Sequence, residues 1–218
     1  DIVLTSPVLR CLKKQVADAE IHFATKSVFA DLVKFNPNVT KVQELDEDIN
    51  ALIAKLKPEK FDVVIDLHNN LRTARIKRGL GVPSHSFPKL NVEKWLLVNL
   101  KWDRMPKIHI VDRYLSAVAS LGVKNDGAGL DFFIPQERAV KLSDLPTTHQ
   151  NGYTALAIGA AHVTKRLPEH RWIELVQMIE NQDFGLIVLR AQFYPTDVLI
   201  AIGNYYQQVE SIHMNGFD

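Results

Sequence analysis

The sequence predicts an α/β protein in which helices cover parallel sheet. Two observations carry this expectation. Strand-like and helix-like segments alternate between 20 and 79, and at 153–189 an apolar strand, a turn, an amphipathic helix and a second strand follow one another. A third observation divides the chain. The segment 143–152, with Pro146, Thr147, Thr148, His149, Gln150, Asn151 and Gly152, is polar and aperiodic and reads as a linker, placing one domain at 1–146 and another at 151–218.

Taken in order, the pattern predicts a helix over 2–15, a strand at 20–25, a helix at 28–35, a strand at 39–45, a helix at 47–57, a strand at 61–67 and a helix at 70–79. Pro7 requires the first helix either to start late enough to hold it in the first turn or to kink there. Helices are expected at 91–101 and 108–121, the second because Ile110, Val111, Tyr114, Leu115, Val118 and Leu121 recur at spacings of three and four. The turn Asn125-Asp126-Gly127-Ala128-Gly129 precedes an expected short strand at 130–134. After the linker come a strand at 153–159, a helix at 168–181 and a strand at 185–189, then a tail with an expected helix at 196–206 and strand at 208–214.

Composition excludes several function classes. The 218 residues are 46% hydrophobic, enough for a real core without disulfides. Cys11 is the only cysteine, so neither an intrachain bridge nor a cysteine-based metal site is available, and it reads as a small buried hydrophobe. With 26 Lys and Arg against 25 Asp and Glu, there is no global case for nucleic-acid binding. No apolar run reaches the ~20 residues of a membrane span and no signal peptide is visible, so the expectation is a cytoplasmic protein, with a peripheral membrane contact left open. The chain opens on Asp rather than Met, which reads as the loss of an upstream segment.

Chemistry concentrates in a few places. In Gly159-Ala160-Ala161-His162-Val163-Thr164-Lys165-Arg166-Leu167-Pro168-Glu169, small residues join a strand to a helix. Such a turn lets backbone N–H groups approach a phosphate at a helix N-terminus, and Lys165 adds a full charge. The alternative is an ordinary connection with a solvated Lys-Arg pair. In His68-Asn69-Asn70-Leu71-Arg72-Thr73-Ala74-Arg75-Ile76-Lys77-Arg78, four cations fall within seven residues just past a strand's carboxyl end. A phosphorylated acidic saccharide or an anionic lipid surface would suit them; a solvated helix face would also account for them.

Together with the opening Asp1-Ile2-Val3-Leu4-Thr5-Ser6-Pro7-Val8-Leu9-Arg10-Cys11 and with Asp62-Val63-Val64-Ile65-Asp66-Leu67-His68-Asn69-Asn70-Leu71-Arg72, the Gly159 to Glu169 stretch resembles the lipopolysaccharide heptosyltransferases of glycosyltransferase family 9. The resemblance runs over about residues 1–189 and stops there. It implies a GT-B fold: a doubly wound Rossmann-like amino-terminal domain for the acceptor, lacking its first strand here, plus an incomplete second Rossmann-like domain for the nucleotide. It further implies an inverting transfer of heptose from an ADP-heptose donor to the lipopolysaccharide inner core, a lipid-anchored saccharide acceptor, with no cofactor. Asp1 matches the catalytic aspartate, although on its own an Asp before a helix is an ordinary N-cap.

By the same resemblance Lys165 faces the departing diphosphate, with the backbone at Ala160, Ala161, His162 and Val163 and the Thr164 hydroxyl as donors beside it. His68, Asn70, Arg72 and Arg75 are the acceptor-side candidates, Arg72 foremost. Asp46-Glu47-Asp48 has the spacing of metal-binding carboxylates in another glycosyltransferase class, but Asp46 reads as an N-cap, so no metal site is expected. The alternatives are a truncated, inactive homologue that at most binds a sugar nucleotide and, more remotely, a generic nucleotide-binding or epimerase-like domain.

Overall fold

The computed structural model describes residues 2–45, 48–158, 163–179 and 185–189. It is an α/β structure whose strands, among the described residues, form three parallel pairs. Chain contacts divide it between Gln136 and Glu137.

In the first unit a short 3-10 turn at Val3–Thr5 leads into α1, Ser6–Gln15, which holds Pro7 in its first turn. The late start resolves the difficulty at Pro7, because proline's missing N–H has no helical partner to lose there. Strand β1, His22–Lys26, is followed by a 3-10 turn at Ser27–Phe29 and by α2, Asp31–Lys34. The expected helix over 28–35 is thus reduced to two short turns. Strand β2, Lys41–Leu45, runs parallel to β1 in the register His22 to Lys41.

Helix α3, Ile49–Leu56, is capped by Asp48, whose Oδ1 accepts the Asn50 N–H at 2.7 Å. Asp48 therefore takes the capping place expected of Asp46, because the helix begins two residues later; Asp46 and Glu47 lie outside the described residues. Strand β3, Val64–Asp66, leads through a four-residue turn into α4, Leu71–Leu80, and β4, Ser84–Ser86, returns parallel to β3. Parallel neighbours require a crossover, and α4 supplies it. Gly79 lets α4 lie close on α3, since a Cβ there would stand 2.7 Å from Ile53 Cδ1 and 2.8 Å from its Cγ2.

Helix α5, Asn91–Leu100, buries none of its residues. Helix α6, Ile110–Leu115, tightens into a 3-10 turn at Ser116–Leu121, so the helix expected over 108–121 is real but changes its winding. The core of this unit joins Val8 and Cys11 of α1 to Val111, Tyr114 and Leu115 of α6, with Phe87, Ala117, Val118 and Val123. Phe87 meets Tyr114 edge to face at 4.8 Å. Cys11 is fully buried, and burial pushes its thiol pKa up.

The expected strand at 130–134 does not form. The loop is fastened instead to α1. Arg10 donates to both carboxylate oxygens of Asp126 at 2.8 and 2.7 Å, to the Gly129 carbonyl at 2.9 Å and to Asp131, while the Asp131 N–H donates to Ser6 Oγ at 2.8 Å. The hydrogen bond and charge of Asp126 raise the Arg10 pKa further, and Arg10 in turn holds the Asp126 carboxyl well below the usual range. Leu130, Phe132 and Ile134 alternate as strand residues would, yet all three are exposed. Alternation sets up a strand, but only a neighbouring edge makes one.

In the second unit the polar segment carries a short 3-10 turn at Leu142–Asp144 and the single-turn helix α7, Thr147–Gln150. Strand β5, Tyr153–Ala157, and β6, Gly185–Leu189, are parallel and are connected through α8, Glu169–Ile179. The expected tail helix and strand fall outside the described residues.

Candidate functional site

Ligands in open α/β sheets sit beyond the carboxyl ends of the strands. Among the described residues two such strand ends carry polar chemistry, one in each unit.

The first is the turn between β3 and α4. Asp66, the last residue of β3, is buried, and its Oδ1 accepts the backbone N–H groups of His68 at 3.0 Å and Asn69 at 2.7 Å. Its Oδ2 lies 2.8 Å from Lys77 Nζ, the two side chains being 2% and 19% exposed. Burial disfavours charge on Asp66, but Lys77, the two amides and Thr73 outweigh it and hold its carboxyl below the usual carboxylate range. Asn69 adopts a left-handed backbone, φ 49°, and donates from its side chain to the Phe87 carbonyl at 3.3 Å. Lys89 closes the turn from the other side through the Asn69 carbonyl at 3.2 Å.

Asn70 caps α4 in a reciprocal box with Thr73, its Oδ1 accepting the Thr73 N–H at 2.9 Å. Its side-chain oxygen is therefore committed to the helix. His68 and Arg72 are exposed, and Arg72 makes no ion pair among the described residues. Arg75 is exposed too and donates to Asn50 Oδ1 at 3.2 Å. Lys77 differs from its basic neighbours because it is spent internally on Asp66 and on Ser86 Oγ at 2.9 Å.

Of the expected acceptor-side residues, the structure thus gathers His68, Asn70 and Arg72 at one strand end, with Arg75 one turn further along the helix. Asp66 was not among the sequence candidates. The signal was present: an Asp two and three residues ahead of the amides it holds is an Asx turn. Leu71, 90% exposed at the start of α4 beside Arg72, was missed as well.

The second place is the connection between β5 and α8. Ile158, just past β5, is buried, and Val163–Lys165 form a 3-10 turn. Thr164 and Lys165 are exposed. The Pro168 carbonyl accepts the N–H groups of Arg171 at 3.0 Å and Trp172 at 3.2 Å, so Pro168 stands immediately before α8 rather than inside its first turn. Lys165 therefore lies between a parallel strand and the N-terminal end of an 11-residue helix. Ala160, Ala161 and His162 lie outside the described residues, as does Asp1; of Val163 only the backbone is described.

Among the described residues no three His, Cys, Asp or Glu side chains gather closely enough to hold a metal ion. No described helix is long and apolar enough to cross a membrane.

Several solved structures share this fold. In the E. coli heptosyltransferase WaaC, solved with ADP-2-deoxy-2-fluoro heptose, 18% of residues are identical; the TM-score is 0.70, covering 97% of this chain and 72% of that one. A glycosyl transferase family 9 protein from Veillonella parvula is 20% identical with a TM-score of 0.73, over 96% of this chain and 65% of that one. E. coli ADP-heptose LPS heptosyltransferase II is 14% identical with a TM-score of 0.68, over 97% and 68%. These likenesses establish the fold. Comparison with curated proteins finds no match. The model of glycosyltransferase family 9 (heptosyltransferase) matches residues 49–192, a span that contains both the β3–α4 turn and Lys165. The chain therefore belongs to glycosyltransferase family 9, the heptosyltransferases.

Proposed function

We propose that this protein is an inverting heptosyltransferase of GT-B architecture, which moves a heptose from ADP-heptose to the lipopolysaccharide inner core at the cytoplasmic face of the inner membrane. The acceptor side is the domain of 1–146 and the donor side that of 151–218. The observation that carries the reading is the family match across both polar strand ends. The bound ADP-sugar analogue in the E. coli relative supports the donor class.

The chemistry divides among named groups. The Asp1 carboxylate takes the proton of the acceptor hydroxyl as its oxygen attacks the anomeric carbon from the face opposite ADP. The bond from that carbon to the β-phosphate oxygen breaks, and the electron pair leaves with ADP. Charge that develops on the departing diphosphate meets the Lys165 ammonium, the Thr164 hydroxyl and the backbone N–H groups of Ala160, Ala161, His162 and Val163. Donors already aimed at that charge need little reorganisation as it grows. On the acceptor side Arg72 binds a phosphate or carboxylate of the saccharide, with Arg75, His68 and the Asn70 amide around it.

Lys165→Ala tests the assignment. The lysine contacts the donor in the ground state and more strongly as the bond breaks, so donor affinity and turnover should fall together, turnover by about 10²-fold. Unchanged ADP-heptose affinity and rate of ADP release in that variant would return Lys165 to the solvated surface and overturn the donor site.

A further inference from the structure

Helix α5 and the loop after it are built unlike the rest of the unit. Six of the ten helix residues are Val, Trp or Leu, yet none is buried. Val92, Trp95 and Val98 fall at a spacing of three on one outward face and are 68%, 57% and 66% exposed. Past the helix end Trp102 is half exposed, and the Arg104 guanidinium lies 3.8 Å over its ring. Soluble surfaces rarely leave contiguous aromatic and aliphatic side chains in water without a partner to cover them.

The surrounding charges say what covers them. Residues 89–107 carry five cations, Lys89, Lys94, Lys101, Arg104 and Lys107, against two anions, Glu93 and Asp103, in a chain whose overall charge is only +1. A protein partner would be expected to find few lysines about an apolar centre, since lysine is depleted in interface cores. Tryptophan flanked by long cationic side chains suits the headgroup boundary of a bilayer instead, where the indole ring sits at the interface and the lysine stems reach out to anionic headgroups. At ten residues the helix is about 15 Å long, too short to span and suited to lying in the plane of the surface.

We propose that α5 and the segment through Lys107 form a docking surface for an anionic lipid bilayer, with Val92, Trp95 and Val98 inserted at the headgroup boundary and Lys94, Lys101 and Arg104 held on the anionic headgroups. This deepens the proposed function, because a saccharide on a lipid anchor is met at a bilayer. It also extends the β3–α4 turn, since Lys89 at the start of this segment bonds to the Asn69 carbonyl of that turn.

The test is sedimentation of the full-length protein with vesicles of phosphatidylglycerol and phosphatidylethanolamine, with tryptophan emission read in parallel. Binding with a blue shift is expected, and vesicles of phosphatidylcholine alone should bind at least about tenfold less. Trp95→Ser and the pair Lys94→Glu with Lys101→Glu should each weaken binding by about tenfold or more. None of these residues is buried, so the variants should fold.

No binding to anionic vesicles, or binding that these variants leave unchanged, overturns the proposal. Emission already blue without lipid and unmoved by it would show another segment of the chain on the patch. A dimer abolished by Trp95→Ser without lipid binding would show a second copy there, and either finding also overturns the proposal. Transfer to a lipid-free acceptor saccharide should be unaffected by Trp95→Ser, which separates a failure of lipid docking from a failure of the transferase reading.

Discussion

Replacing Asp66 with Asn tests whether one buried carboxylate builds the β3–α4 turn. Asn keeps an oxygen for the His68 and Asn69 amides but removes the charge that faces Lys77 at 2.8 Å and presents amide protons to it. A hydrogen bond to a charged group contributes about 1.5–3 kcal/mol, and Lys77 can turn partly to water, so the loss should be about 2 kcal/mol. Asp66→Ala strands both amides too, at about 1 kcal/mol each, and should lose about 4 kcal/mol.

Urea unfolding at constant m reads both values. The pH dependence has a definite sign. The folded-state pKa of Asp66 is depressed, so its contribution is whole above the ordinary carboxylate pKa and disappears as pH falls through the lower folded value. The gap between wild type and Asp66→Asn should hold from about pH 5 to 8 and close below about pH 4. A gap that persists unchanged into acid, or no gap at neutral pH, would show that the Asp66 charge does not hold the turn.

Three further outcomes are expected. Gly79→Val should destabilise the first unit by about 1–3 kcal/mol, because its side chain would enter the space of Ile53, and thermal unfolding will show it. Gly79→Ala should be milder, since the helix propensity gained, about 1 kcal/mol, offsets part of the clash. Chelation with EDTA should leave the initial rate of heptose transfer nearly unchanged; loss of most activity, restored by magnesium or manganese, would bring the carboxylates at Asp46 and Asp48 back as ligands.

Much of the fold was legible because parallel β/α units repeat a simple pattern. β1, β2, β5 and β6 are apolar or alternating runs bounded by turn residues, and α3 and α4 carry their caps in the sequence. β4 was not legible: Ser84-His85-Ser86 has no apolar signal and becomes a strand through the edge that β3 offers. The opposite error arises at 130–134, where a short apolar run after a Gly-rich turn predicts a strand although Arg10, more than a hundred residues earlier, holds the loop elsewhere. Long-range ion pairs of that kind leave no local pattern.

The candidate site divides in the same way. Local chemistry pointed to His68, Arg72 and Lys165, whereas the role of Asp66 depends on Lys77 being folded back one helix face away. The acceptor candidate Asn70 is half committed, because a capping residue gives its oxygen to its own helix. The exposed face of α5 went unread because its apolar residues look like core until their surroundings are known.

Turnover of Asp1→Asn at saturating ADP-heptose and acceptor decides whether Asp1 is the base of an inverting transfer. Asn keeps the shape of Asp and caps a helix equally well, but it takes no proton. Wild-type donor affinity with a rate reduced by ~10²–10⁴-fold is expected; a rate near that of wild type would remove Asp1 from the chemistry.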